Sequence, residues 1–210
     1  MSAVEAMDTR WKHPFTCVVA GPTGSGKTYF VKEFIANLSQ MVTPVPEEVV
    51  WCYGEWQPLY QDMPGVVFVE GLPNDMDTWP PKPRLLIIDD LMCEADARVT
   101  KLFTKGSHHR DISVMYIVQN LFDKNKEHRT ISLNAQYLVV FKNPRDASQI
   151  THLAKQMYPT QIRFMQDAFK QATDRPHGYL LVDTTQSTPD HLRLRSQIFS
   201  RDNAEVFLPK

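Results

Sequence analysis

Apolar residues along this chain gather in short runs, separated by connections rich in glycine and proline. A run from about Phe15 to Ala20 predicts a first strand. A helix is expected from about Lys27 to Gln40, since Phe30, Val31, Phe34, Ile35 and Leu38 repeat on one face. Pro44 and Pro46 mark a loop, followed by strands near Val49 to Tyr53 and Val66 to Val69. A proline-rich connection from Asp75 to Pro83 leads into the very apolar strand Leu85 to Ile88. Ala95, Val99, Leu102 and Phe103 fall at helical spacing, and Ile112 to Val118 and Tyr137 to Phe141 read as two further buried strands. Ala147, Ile150, Leu153, Ala154 and Met157 give another helix face. Pro159 should interrupt that helix before a final one reaching about Gln171. Beyond Gly178, runs from Tyr179 to Val182 and from Leu192 to Phe199 predict a hairpin turning at Ser187-Thr188-Pro189-Asp190.

The alternation of strand and helix implies an α/β fold, a mostly parallel sheet flanked by helices on both faces and closed by the C-terminal β-hairpin. No internal repeat or long linker divides the chain. A single domain is expected over residues 15–210, behind an N-terminal extension of residues 1–14.

Composition narrows the picture only a little. At 210 residues the chain is long enough for one self-sufficient core, and 42% hydrophobic residues excludes a disordered class. The longest apolar runs reach five residues, as from Tyr137 to Phe141, too short to span a membrane. Glu5, Asp8, Arg10 and Lys12 break up any secretory leader. Cys17, Cys52 and Cys93 lack metal-site spacing and an even count, which favours a reducing, intracellular compartment. A formal net charge of −1 excludes an overall cationic surface but leaves room for a local basic patch.

The chemistry is concentrated in three places. Gly21-Pro22-Thr23-Gly24-Ser25-Gly26-Lys27-Thr28 fits the phosphate-loop pattern at every fixed position, between an expected strand and an expected helix. Glycines let backbone N–H groups turn inward around an anion, and the helix adds its positive end. Lys27 would reach the β- and γ-phosphates of ATP, and the Thr28 hydroxyl would hold Mg²⁺. Second, Leu85-Leu86-Ile87-Ile88 ends in Asp89-Asp90, where Asp89 could bind Mg²⁺ and Asp90 could accept a proton from an attacking water. One of the two acids could instead cap a helix. Third, the strand Val114 to Val118 ends in Gln119-Asn120, an amide pair that either senses a γ-phosphate or simply opens a turn.

Arg98, Arg110 and Arg145 lie near or beside these strands. Arg98 reads as a surface charge, whereas Arg110 and Arg145 are candidates for a guanidinium delivered across a subunit interface. His108-His109 has no third metal ligand nearby and reads as surface. Trp51, Tyr53, Trp56 and Tyr60 fit core or interface better than base stacking. Asn125-Lys126-Glu127-His128 lacks the acid that reads guanine, so a switch GTPase is not expected. No arginine-rich lid follows the Gln119 strand, which disfavours a small-molecule kinase.

Taken together, Gly21 to Thr28, Leu85 to Asp90, Gln119-Asn120 and Phe141-Lys142-Asn143-Pro144-Arg145-Asp146 resemble the FtsK/HerA class of pumping ATPases. Within it they are similar to the genome-packaging ATPases of poxviruses, giant viruses and Maverick/Polinton elements. Tyr53 to Tyr60 and Gly178 to Asp183 look like the same lineage, so the resemblance runs from about Phe15 to Phe199. It implies a RecA-like P-loop NTPase core, ATP hydrolysis with Mg²⁺, a homo-oligomeric ring of five or six subunits and translocation of double-stranded DNA into a capsid. Asp90 stands where FtsK and HerA proteins usually carry Glu. A capsid or portal partner is implied, without a membrane, in the host cytoplasm or nucleus or in the virion. Alternative expectations are a DNA-translocating or helicase-type ATPase of replication, recombination or conjugation, and a nucleotide-dependent capsid-assembly scaffold.

Overall fold

Five strands carry the centre of the molecule because nearly every residue in them is apolar, and a strand with two apolar faces is stable only when covered on both. They are β2 (Thr16–Ala20), β6 (Arg84–Asp89), β7 (Ile112–Val118), β8 (Tyr137–Phe141) and β9 (Tyr179–Asp183), and each is buried along its whole length. The computed structural model describes residues 8–89, 91, 97–106, 110–122, 126–199 and 204–209. The remaining strands are β1 (Trp11–Lys12), β3 (Val42–Thr43), β4 (Glu48–Tyr53), β5 (Val66–Glu70), β10 (Leu194–Ser196) and β11 (Glu205–Val206). The helices are α1 (Lys27–Ala36), α2 (Leu38–Met41), α3 (Ala97–Lys101), α4 (Lys126–Asn134), α5 (Ser148–Met157) and α6 (Ile162–Ala172).

Among the described residues the main sheet has the order β11-β10-β9-β8-β2-β7-β6-β4-β5. From β8 to β5 every pairing is parallel, and from β8 to β11 every pairing is antiparallel. This is the α/β fold expected, a large and mostly parallel sheet flanked by helices. Alternate residues of β2 feed two cores. Val18 and Ala20 face a core shared with α5 and α6, and Cys17 and Val19 face one shared with Phe30, Val31 and Phe34 of α1.

Register aligns the strand ends. Ala20, the last residue of β2, sits opposite Val118 and Val140, while Asp89 sits opposite Ile117 and Tyr53. Strands β2, β6, β7 and β8 therefore end level with one another, and their carboxyl ends form a single edge.

Several boundaries differ from the sequence reading. The first helix does not run to Gln40. It stops at Asn37, whose side-chain amide donates to the Glu33 carbonyl at 2.9 Å and competes with helix continuation. The terminal strands pair as a hairpin should, Val182 with Leu194, but the connection runs over residues 184–193 instead of a four-residue turn. The Asp183 carboxylate organises that longer loop, accepting from the Thr185 amide at 3.0 Å, the Thr185 hydroxyl at 2.7 Å and the Thr188 hydroxyl at 2.9 Å. It also pairs at 2.8 Å with the buried guanidinium of Arg195. Only Leu194–Ser196 of the expected strand from Leu192 to Phe199 is extended and paired.

The N-terminal extension enters the fold at Trp11. Its indole is fully buried, stacked on Tyr137 at 3.9 Å between ring centroids, with Phe15 and Phe34 at 5.0 and 4.8 Å. Trp11→Ala is expected to lower stability by about 3–5 kcal/mol, the range for emptying a large aromatic site in a core. Urea unfolding measures it; a loss near zero would show that residues 8–12 are not held by this contact.

Candidate active site

The level edge of the sheet gathers most of the sequence-predicted site. Between β2 and α1 the chain makes one tight loop, held at its start by the Gly21 amide on the Val118 carbonyl at 3.2 Å and closed by the Phe30 amide on the Gly26 carbonyl at 2.9 Å. Two of its residues, Gly24 and Gly26, have positive φ of 76° and 107°, where a side chain is strained. At Gly21 the reason for glycine is space, since a Cβ there would fall 2.7 Å from Cβ of Phe141.

Helix α1 starts at Lys27 with Gly26 as its N-cap, without a side-chain cap and without an acid in its first turn. Its first amides and its dipole therefore favour an anion. Lys27 folds back across the loop, donating from Nζ to the carbonyls of Gly21 at 2.6 Å and Pro22 at 3.0 Å. The Ser25 hydroxyl is buried and meets no hydrogen-bond partner among the described residues. Inward-turned loop, bracing ammonium and orphaned hydroxyl fit an oligophosphate.

Asp89 closes β6 and is 4% exposed. Because β7 lies between β6 and β2, its carboxylate stands two strand spacings, about 10 Å, to the side of β2. The Tyr60 hydroxyl donates to its Oδ2 at 2.9 Å. Asp89 and the partly buried Thr28 are both hard oxygen donors, the type that suits Mg²⁺ shared with phosphates. Asp90 lies outside the described residues, as do Cys93 and His108-His109.

Strand β7 is β2's immediate neighbour, so Gln119 stands beside the loop, half-buried, its amide making no hydrogen bond to a described residue. Asn120 serves the turn instead. Its Oδ1 accepts from Gln149 Nε2 at 3.1 Å and from Asn143 Nδ2 at 3.3 Å, and Gln149 Oε1 accepts from the Leu121 amide at 2.8 Å. Gln149 also donates to Asp146 at 2.9 Å. The Ser148 hydroxyl, then Gln149, hold the Asp146 carboxyl below the usual carboxylate range. The segment after β8 is thereby tied to the end of β7.

The arginine candidates separate. Arg145 is exposed on that segment, at the same edge as the loop, and its amide caps onto Asn143 Oδ1 at 3.1 Å. Arg110 precedes β7 and lies at the opposite edge, a seven-residue strand or about 20 Å away, donating to the Met76 carbonyl at 3.4 Å. The structure thus does not bring Arg110 to its own loop. Arg98 donates to Asn74 Oδ1 at 2.8 Å, away from the site.

Two contacts were missed in the sequence. Tyr60 sits in an aromatic cluster with Trp51, Tyr53, Trp56 and Phe68, of which Trp51 is buried and Trp56 is 50% exposed. Nothing in its spacing singles out the hydroxyl that reaches Asp89. His177, in the left-handed region at φ 59°, brings Nδ1 to 3.1 Å from the Ser25 carbonyl. The only hint is its place between Pro176 and Gly178, just before a strand.

No family model matches the sequence, and no curated protein matches it. Among solved structures, the genome packaging NTPase B204 of Sulfolobus turreted icosahedral virus 2, in complex with ATP-gammaS, aligns over 94% of this chain and 98% of its own at a TM-score of 0.54. The chain shares its fold with a viral packaging NTPase. Identity over that alignment is 14%, so the likeness is one of fold. Two structures of Thermomonospora curvata EccC align less well. One, its ATPases 2 and 3 with a signal sequence peptide, covers 63% of this chain and 31% of its own at 0.43 and 15% identity. The other, the cytoplasmic domain of this type VII secretion ATPase, covers 86% and 23% at 0.46 and 14% identity. Both scores are too low to bear on the fold.

Tyr60→Phe tests the aromatic contact with the acid. It leaves the ring packing in place and takes one donor from a buried carboxylate, which is expected to cost about 1–3 kcal/mol in chemical denaturation. A variant as stable as the parent would mean that the hydroxyl does not hold Asp89.

Proposed function

We propose that this chain is an Mg²⁺-dependent ATPase with a RecA-like core that, as a ring of identical subunits, drives double-stranded DNA into a capsid. The observation that carries the reading is the loop from Gly21 to Thr28. Its two positive-φ glycines, the uncapped start of α1 and Lys27 lying across the loop suit phosphate oxygens and little else. The sheet order supports the RecA-like assignment, with the Gln119 strand inserted between the loop strand and the acid strand.

In this reading Lys27 binds the β- and γ-phosphates, and Thr28 and Asp89 hold the metal. Mg²⁺ held by Thr28 and Asp89 would neutralise charge that develops on the phosphates. Asp90 takes the proton of the attacking water, Gln119 orients that water or senses the γ-phosphate, and Arg145 of one subunit serves the site of the next. Arg110, at the far edge, is the weaker supplier. Packaging draws support from the motif set and from the fold shared with B204, a genome packaging NTPase in complex with ATP-gammaS.

Steady-state hydrolysis with and without long duplex DNA tests the coupling. DNA-stimulated turnover is expected, and Lys27→Ala should lower it by about a hundredfold or more with circular dichroism unchanged. Turnover indifferent to DNA favours a nucleotide-dependent scaffold. Stimulated turnover that capsid proteins leave unaffected favours a replication, recombination or conjugation motor.

A mixing experiment tests the arginine. Arg145→Ala alone should lose about 10³-fold or more in rate, the scale of known arginine fingers. Combined with Asp90→Asn subunits, some interfaces regain an intact site beside an intact arginine, so activity should partly return. Inactive mixtures of two folded, co-assembling variants would rule out action across the interface.

A further inference from the structure

The loop strand β2 has chemically different neighbours on its two sides. Toward β7 and β6 lie Gln119 and Asp89, the amide and the acid. In the proposed reading Asp89 would hold the metal and Gln119 would meet the γ-phosphate, and both stand on that side. The γ end of a bound nucleotide therefore faces β7 and β6, which sends the α-phosphate and the sugar toward β8 and β9.

On that side the sheet offers a prepared space. Val140 pairs with Ala20 and Phe141 with Tyr179, so the segment leaving β8 and the turn entering β9 rise from one edge beside the loop. His177 of that turn already touches the loop at the Ser25 carbonyl. Between the end of β8 and helices α5 and α6 lies a cavity of about 230 Å³, and Gly21 itself forms part of its wall. Sites for drug-sized molecules usually hold roughly 300 Å³ or more, so this space suits a base with its sugar left outside.

The lining indicates how a base would be held. Val140, Phe141, Pro144, Ile150 and Phe169 supply apolar surface. Most polar groups of the lining are already engaged: Gln149 donates to Asp146 and Asn120, Asn143 Oδ1 accepts from the Arg145 amide, and the Thr173 hydroxyl donates to the Phe169 carbonyl, while Lys142 and Lys170 stand exposed at the rim. A site that meets a base with apolar surface separates one base from another weakly, because no buried donor or acceptor is left unmatched by the wrong one.

We propose that the base of the nucleotide enters this cavity and is held there by apolar contact, with little discrimination between purines. The proposal rests on the phosphate-loop reading above. Calorimetric titration with Mg-ATP, Mg-GTP and inorganic tripolyphosphate tests both separately, on the wild type and on Lys27→Ala, Ala147→Trp and Lys170→Trp. The last two approach the cavity from opposite walls, at exposed residues of the turn before α5 and of α6. The wild type should bind ATP and GTP within about tenfold of each other, and each at least about tenfold more tightly than tripolyphosphate, as stacking and burial of a base allow. Ala147→Trp and Lys170→Trp should close that gap by weakening ATP and GTP only. If both stay folded by circular dichroism and keep the gap, the base lies elsewhere and the proposal fails. Should one of them fail to fold, the other decides. A preference for one purine beyond about a hundredfold would overturn the apolar readout. If the wild type binds neither ATP nor tripolyphosphate, or Lys27→Ala binds both unchanged, the phosphate-loop reading falls, and the base site falls with it.

Discussion

Burial of β2 on both faces is the constraint on which the rest of the structure depends. A strand covered by α1 on one side and by α5 and α6 on the other leaves little room for a polar side chain: after Thr16, whose hydroxyl donates to the Asn134 carbonyl at 3.0 Å, come Cys17, Val18, Val19 and Ala20. Chemistry can appear only where such strands end. Because β6, β7 and β8 are buried in the same way and end level with β2, their last residues or the next ones along share one edge. Asp89, Gln119, Lys142 and the loop from Gly21 are there for that single reason. Close packing adds a second condition: the loop begins so near Phe141 that its first residue has to be glycine.

That constraint also explains what the sequence made legible. A strand buried on both faces reads as a mostly apolar run, so β2, β6, β7, β8 and β9 are evident, and so is the polar residue that ends or follows the last four, Asp89, Gln119, Lys142 and Asp183. The loop is legible because its φ angles and close approach demand glycine at fixed spacing. Shorter pieces carry no such signal. Strands β1 and β3 are two residues each, and helix α4 is mostly polar, with His128 and Ile131 its buried residues. Arg110 shows a different limit. Its distance along the chain from Gln119 is small, but a straight strand lies between, so neighbours in sequence stand at opposite edges of the sheet. Tyr60 is illegible for the converse reason: 29 residues separate it from Asp89, and only the crossover from β4 to β5 brings them together.

Specificity of position at the edge comes from side-chain networks that periodicity cannot reveal. Asn120, Asn143, Asp146 and Gln149 satisfy one another across three segments, fixing the turn after β8 against the turn after β7. A network of this kind holds its members only while each keeps its partner, and so it couples the placement of Arg145 to that of Gln119. The resemblance of Phe141 to Asp146 to one ATPase lineage thus acquires a structural content. Those residues shape a turn as much as they present a charge.

The antiparallel strands β9, β10 and β11 complete this logic. In a parallel sheet each strand contributes to the carboxyl edge only the loop that leaves it. A strand running the other way brings the loop that enters it. By pairing antiparallel with β8, β9 delivers the turn carrying Arg175, His177 and Gly178 to the same edge as the loop from Gly21 to Thr28, with no crossover required between those two strands. That turn is anchored from behind. Arg175 donates to Gln197 at 2.5 Å and to Glu205 at 3.3 Å, tying it to the residues beyond β10 and to β11. Strands β9 to β11 therefore bear on the loop from Gly21 to Thr28 through His177, and the reversal of strand direction beside β8 is what makes that reach possible.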